Sequence, residues 1–312
     1  MIVAFLTGGL GNQLFQYAMA RRLAVLRNTT LLLDTSGYES SGERRPAELS
    51  AFARRLSLNQ FRISARIATH DESQRLKDEF LKSSTRDRLV RVIRRYRPGF
   101  LWKASHIVER SYRFQADALS FPDEVYLQGY WQSEKYFADI APLIRQELRP
   151  VDEPLQLSAK RAVEGLRDRY GQVVSLHVRR GDLAHAHETL GKRNITHGAP
   201  ISYGYIERAM EQFGDDACFF VFSDSQKDIQ WCQQNIRAKR IEFSTAESDV
   251  WDFLAMSCCD HNIIANSTFS WWAAWLNEQP GRRVIAPRTW SAPEAPTSMP
   301  IDDLIPESWK VL

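Results

Sequence analysis

Three short stretches of this sequence gather residue types that bind anions. The first, residues 7–16 (TGGLGNQLFQ), is a glycine-rich turn, where bare backbone amides can approach an anion at the start of the helix that follows. Gly9 and Gly11 supply the first two glycines of a dinucleotide fingerprint. Leu14 holds the third position and no G-K-[ST] follows, so the stretch is neither that fingerprint nor a P-loop. Asp34, at the end of the next strand, has the place of a ribose-binding acid, a reading that loses force without the third glycine. Close backbone approach to a ligand and a tight turn alone are the two readings of the loop.

The second stretch, residues 175–188 (SLHVRRGDLAHAHE), continues an apolar run that reads as a strand. Alternation puts His177 and Arg179 on one face and Val178 and Arg180 on the other. Gly181 then breaks the strand at its carboxyl end, the end at which open α/β sheets bind ligands. A histidine and an arginine after a buried run are costly unless an anion receives them. A diphosphate fits, because a guanidinium grips phosphate oxygens through two parallel hydrogen bonds. The competing reading is a salt bridge from Arg179 or Arg180 to Asp182 that only shapes the loop, and it suits Arg180 better.

The third stretch, residues 265–277 (ANSTFSWWAAWLN), places Asn266, Ser267 and Thr268 where a strand ends and a helix starts. Small hydroxylic residues there cap the helix and can also donate to a phosphate on its positive end; capping alone is the alternative. Trp271 and Trp275 share a helix face and read as core.

These stretches need elements to hold them. A strand over 1–6, a helix with Leu14, Ala18, Leu23 and Leu26 near one face and a strand over 29–34 open a doubly wound parallel sheet. Residues 36–119 are harder to read. Within them, 86–97 (RDRLVRVIRRYR) puts Leu89, Val92, Ile93 and Tyr96 on one side of a helix and arginines on the other, read first as a solvated face and second as a patch drawn to anionic lipid. A strand over 125–131 and a helix over 133–148, with Ser133 as N-cap, follow. The prolines and acids of 149–154 read as a linker, which divides the chain into domains 1–150 and 151–312. Beyond it, strands over 173–179, 218–223, 240–243, 262–265 and 283–286 alternate with helices over 203–213, 227–236, 248–257 and 268–277. This predicts a second α/β domain ending in an irregular tail, 287–312.

At 312 residues the chain exceeds the size at which one core usually stops growing. Its 44% hydrophobic and 25% charged residues suit a soluble globular protein, and no run approaches the about 18 apolar residues of a membrane span. A net charge of +3 does not argue for nucleic-acid binding. The opening MIVAFLTGG lacks a basic head and a cleavage site, so it reads as a strand rather than a signal peptide, with the cytoplasm as the expected compartment. Cys218, Cys232, Cys258 and Cys259 form no C-x-x-C pair and read as buried thiols, and the sequons at Asn28, Asn194 and Asn266 matter only on export.

Together GGLGNQLFQYA, LQGYWQSEKYF, HVRRGD, VFSDSQKDIQWC and ANSTFSWWAAWL resemble the α-1,2-fucosyltransferase family, from residue 8 to residue 276. The resemblance implies an α/β, GT-B-like pair of facing Rossmann-like domains, the N-terminal one mainly for acceptor and the C-terminal one for GDP-fucose. It implies an inverting transfer of L-fucose from GDP-β-L-fucose to the 2-hydroxyl of a terminal β-galactoside, carried by an oligosaccharide or a glycolipid or polysaccharide precursor. By the same resemblance Arg179 grips the donor diphosphate beside His177. Gly9, Asn12 and Gln13 belong to the loop over the phosphates and fucose, and Asp224, Ser267, Thr268 and Ser270 match donor-pocket positions. The family often carries two adjacent acids after F-S, whereas Ser225 follows Asp224 here, so Asp224 alone is carried over. A bacterial cytoplasmic enzyme, at most peripheral at the inner membrane, is the expected setting.

No D-x-D occurs in the chain, so no metal and no other cofactor is expected. Arg179, the amides of residues 8–11 and the helix start at Ser267 would supply the positive field for the leaving diphosphate. Asp182 and Glu188 are the acids within reach to act as general base, unless late proton transfer removes the need for one. The rival readings are a non-catalytic nucleotide or glycan-binding module of the same fold and a transferase for another GDP-sugar.

Overall fold

The computed structural model describes residues 1–39, 55–77, 105–180, 202–246, 248–291 and 300–312. The arginine-rich helix expected over 86–97, the candidate bases Asp182 and Glu188, and Asn194 lie outside the described residues. The chain divides into two compact units, Met1–Arg149 and Pro150–Leu312.

The first unit carries a parallel sheet in the order β3-β2-β1-β5-β4, formed by β1 (Ile2–Phe5), β2 (Leu31–Asp34), β3 (Arg66–Ile67), β4 (His106–Val108) and β5 (Val125–Gln128). Its central strands are short apolar runs buried on both faces, as parallel strands covered by helices must be. Helix α1 (Leu10–Leu26) joins β1 to β2, and α2 (His70–Leu76) follows β3. The sequence predicts one apolar face for α1; instead it is buried almost all round, and Leu26 is 50% exposed. Polar residues on its far side make this affordable: Tyr17 donates to Glu147 at 2.5 Å and accepts from the Ser64 amide at 3.0 Å, and Arg21 pairs with the same carboxylate at 2.8 Å.

The helix expected over 133–148 is broken into three pieces. Ser133 does cap, its Oγ accepting from the Lys135 amide, but what it opens is a 3-10 turn, Glu134–Tyr136. A second turn, Ala138–Ile140, precedes α3 (Ala141–Glu147). Pro142 in the first turn of α3 explains the break, because a proline lacks the amide hydrogen and clashes with the carbonyl one turn back. Phe137, between the turns, is extended in φ at −141°.

In the second unit, Asp152 caps α4 (Glu153–Tyr170) through a 2.9 Å bond from the Leu155 amide, with Pro154 in the helix's first turn. The second half of the stretch read as linker is therefore helix start. The sheet runs β11-β10-β9-β6-β7-β8, all parallel. Its strands are β6 (Gln172–Val178), β7 (Ala217–Ser223), β8 (Ile241–Phe243), β9 (His261–Ile263), β10 (Val284–Ala286) and β11 (Lys310–Val311). The helices α5 (Tyr203–Glu211), α6 (Gln226–Asn235), α7 (Asp249–Cys258) and α8 (Thr268–Leu276) alternate with them. The tail expected to be irregular ends in β11, in register with β10 as Ile285↔Lys310 and Ala286↔Val311. Trp309 and Trp271 hold it, with ring centroids 5.4 Å apart, and the Trp271 indole donates to the Leu304 carbonyl at 2.9 Å. Trp271, Trp272 and Trp275 are core residues, 0%, 0% and 4% exposed.

The second sheet reverses its winding once, between β6 and β9. At such a reversal the loops leaving the two strands part in opposite directions and open a crevice at their carboxyl ends.

Candidate functional site

In the second unit the carboxyl end of β6 presents the side chains that the alternation rule selects. His177 is 2% exposed, and its Nδ1 lies 2.9 Å from Ser270 Oγ, one turn into α8. Its Nε2 is 3.7 Å from Asp224 Oδ1, and Arg179 Nε is 3.8 Å from Asp224 Oδ2, so one acid at the end of β7 faces both bases. Arg179 and Asp224 keep side-chain exposures of 23% and 31%, enough to meet a ligand. Arg180 turns the other way, its guanidinium 4.0 Å over the ring of Trp231 on α6. Ser223 ties the ends of β6 and β7 by donating to the Val178 carbonyl at 2.5 Å.

Ser225, where a second acid was the family expectation, has a structural task. Its Oγ accepts from the Asp228 amide and donates to the Asp228 carboxylate at 2.8 Å, closing the first turn of α6.

The start of α8 completes this cluster. Ser267 is the N-cap, its Oγ accepting from the Phe269 amide at 3.3 Å. Ser270 donates toward the Ser267 carbonyl at 3.3 Å, and Asn266 reaches the Trp290 carbonyl through Nδ2 at 3.2 Å. Asn266, Ser267 and Ser270 are buried, whereas Thr268 is half-buried at the helix's positive end. His177, Arg179, Asp224, Asn266, Ser267, Thr268 and Ser270 thus converge on the winding reversal between β6 and β9.

The residues expected from the first loop sit past the carboxyl end of β1, in the first unit. Gly8 has φ +81°, and a Cβ on it would come within 2.4 Å of Asn12 Nδ2, so only glycine fits. Gly9 is the N-cap of α1 with no side-chain cap bond, which leaves the positive end of that helix to its backbone amides, and Gly11 is buried in the first turn. Asn12 is half-buried and accepts from Gln132 Nε2 at 2.9 Å. Gln13 is 0% exposed: its Oε1 accepts from the Ser57 and Leu58 amides at 2.9 and 3.0 Å, and its Nε2 donates to the Arg55 carbonyl at 2.7 Å. Gln13 braces the loop from behind.

Asp34 is held as a structural acid. Lys77 Nζ lies 2.6 Å from it, Tyr126 donates to it at 2.7 Å, and the Ser36 amide bonds to it at 3.0 Å. Burial would raise its pKa, but those bonds outweigh it and hold the carboxyl below the ordinary range. Missed by sequence reasoning is Glu109, just past β4, which accepts from the Tyr130 and Trp131 amides at 2.7 and 3.0 Å. The only signal for it was an acid after the apolar pair Ile107-Val108.

Among the described residues no group of three or more His, Cys, Asp or Glu side chains is arranged to hold a metal ion, and no helix is long and apolar enough to cross a membrane. Burial pushes the Cys218 and Cys232 thiols up to about 11 and about 12, away from thiolate chemistry.

Two parallel, Rossmann-like α/β units, one with an arginine at a strand end beside a hydroxyl-capped helix, define a GT-B-like glycosyltransferase. The chain belongs to glycosyl transferase family 11, whose model matches residues 1–309. It is 31% identical to an alpha-1,2-colitosyltransferase of Escherichia coli, over 99% of this chain and 98% of that protein. It is also 31% identical to galactoside alpha-(1,2)-fucosyltransferase 2 of Rattus norvegicus, over 47% of this chain and 42% of that one. Among solved structures, the fucosyltransferase NodZ from Bradyrhizobium matches with a TM-score of 0.44 at 12% identity, over 87% of this chain and 91% of that one.

Proposed function

We propose that this glycosyltransferase moves L-fucose from GDP-β-L-fucose to the 2-hydroxyl of a terminal β-galactoside, with inversion at the transferred carbon and without a metal ion. The observation that carries the reading is the grouping of His177, Arg179 and Asp224 with the start of α8 at the winding reversal of the second sheet. A diphosphate leaving group develops negative charge as the sugar–phosphate bond breaks, and a fixed guanidinium with a helix N-terminus stabilises it without reorganising. Asp224, 3.8 Å from Arg179, orients its guanidinium. His177, bonded to Ser270 and buried behind Asp224, keeps that acid in place. The absence of any D-x-D in the sequence favours this cationic device over a metal ion.

A second donor is favoured by one observation: a relative matched over nearly the full length is a colitosyltransferase. Colitose is fucose without its 3-hydroxyl, so the two donors share a diphosphate grip and differ at one hydrogen-bonding position. Purified protein incubated with a β-galactoside and, in turn, GDP-fucose, GDP-colitose, GDP-mannose and UDP-galactose tests both readings through nucleotide release. Release of GDP from GDP-fucose above all others supports the fucosyl reading. Preference for GDP-colitose by more than about tenfold selects the second reading, because a site built to bond the extra hydroxyl of fucose would instead reject the donor that lacks it.

A further inference from the structure

A cavity of about 400 Å³ opens in the second unit, at the end of α8 away from the nucleotide-side cluster. At about 1.5 Å per residue, the nine residues of α8 put roughly 14 Å between its Ser267 cap and this opening. One wall is the turn from α8 to β10, with Glu278, Gln279, Gly281 and Arg282; the other is Ser308 and Trp309, which lead into β11. The second wall is held by the contact of the Trp309 and Trp271 rings and by the bond from the Trp271 indole to the Leu304 carbonyl. Gly281, at φ +72°, leaves the rim open, since a Cβ on it would meet no atom within 4 Å. The volume falls within the range of about 300–1,000 Å³ that small-molecule sites occupy.

Arg282 is half-buried, its Nε is out of water with no hydrogen-bond partner, and among the described residues no carboxylate pairs with it. A guanidinium so placed is costly until an anion receives it. Two features oppose a bare anion: Glu278 carries a negative charge, and the carboxyl end of α8 contributes about half of one. Both suit hydroxyl groups, which donate to them. Gln279 gives its Nε2 to the Cys258 carbonyl at 3.4 Å and keeps Oε1 for the same task, while Ser308 adds a hydroxyl and Trp309 an indole wall. We infer that this cavity binds a pyranose bearing a carboxylate, at a site separate from the transfer site. The carboxylate meets the Arg282 guanidinium, which can take it through two parallel bonds, and the hydroxyls meet Glu278, Gln279 and Ser308.

The neighbouring cations have other tasks. Arg283 lies 4.4 Å over the Phe213 ring and donates to the Gln212 carbonyl at 3.0 Å, and Lys310 donates to the Gln212 side chain. Both thus face the end of α5 rather than the cavity. The rival role of Arg282 is mechanical, its aliphatic stem packing under the turn that enters β10.

Calorimetric titrations of the full chain with methyl β-glucuronide, methyl β-glucoside and inorganic phosphate separate the two roles. The glucuronide should bind at least about tenfold more tightly than the glucoside, which lacks only the carboxylate, and than phosphate, which lacks the ring and its hydroxyls. Arg282→Gln should weaken glucuronide binding by about tenfold or more and leave GDP affinity within about twofold of wild type. Arg179→Ala should leave glucuronide affinity unchanged, because the transfer site lies at the other end of α8. Absence of glucuronide binding, glucoside or phosphate binding within about tenfold of it, a smaller loss in Arg282→Gln, or loss of binding in Arg179→Ala overturns the inference. Each of these outcomes leaves the transfer reaction standing. If Arg282→Gln fails to fold, Ser308→Trp decides, since a bulky group at that exposed rim position should abolish glucuronide binding with the melting temperature unchanged. Binding retained in a folded Ser308→Trp overturns the inference as well.

Discussion

His177 and Ser270 lie 93 residues apart in sequence, yet Nδ1 and Oγ meet at 2.9 Å, joining the end of β6 to the first turn of α8. Both side chains are 2% exposed, so neither can replace the bond with water. Ser270→Ala should therefore cost about 1–3 kcal/mol of stability, the penalty of a buried polar group left unpaired. Urea unfolding of the variant beside the wild type checks this.

Arg179 and Arg180 are adjacent and should behave differently. Arg179→Lys keeps the charge and loses the planar fork, so it should lower turnover nearly as far as Arg179→Ala, by roughly a hundredfold to a thousandfold. Arg180 packs over Trp231, so Arg180→Lys should lower the melting temperature more than turnover. Turnover and melting temperature measured for both positions decide it. Turnover above about a tenth in Arg179→Lys, together with an inactive but folded Arg180→Lys, would reverse the assignment.

Ser267 and Thr268 open α8, and a cap alone contributes about 1 kcal/mol. If they also donate to the donor phosphates, the double alanine variant should lose GDP affinity in calorimetry as well as melting temperature. A lower melting temperature with unchanged GDP affinity leaves only the cap.

The Asp34–Lys77–Tyr126 group should make the stability of the first unit depend on acid. The folded Asp34 pKa lies below its unfolded value, so its contribution is present above about pH 4 and is lost as pH falls through the lower folded value. Lys77→Met strands the buried carboxylate and should cost about 3–5 kcal/mol at neutral pH. Thermal unfolding of both proteins between neutral and acid pH measures it.

Much of the nucleotide-side cluster was legible because strand alternation is a rigid rule. It put His177 and Arg179 together and Arg180 opposite, and a hydroxylic run before an apolar helix marked Ser267 as the cap. The less regular features depend on partners far along the chain. Glu109 acquires its meaning from a bare Gly129 and two amides just past another strand. Gln13 looks like a loop donor until residues 55–58 close over it. Pro142 breaks a periodic pattern that otherwise reads as one helix, and β11 is two residues long, too short for any alternation to show.

The central claim is tested most directly by the product. Dialysed protein with excess EDTA, GDP-β-L-fucose and lactose should release GDP and yield a trisaccharide whose NMR spectrum shows an α-anomeric fucose on O2 of the galactose. A β-anomer, attachment at another hydroxyl, or a loss of more than about tenfold in rate that manganese or magnesium restores would contradict the account.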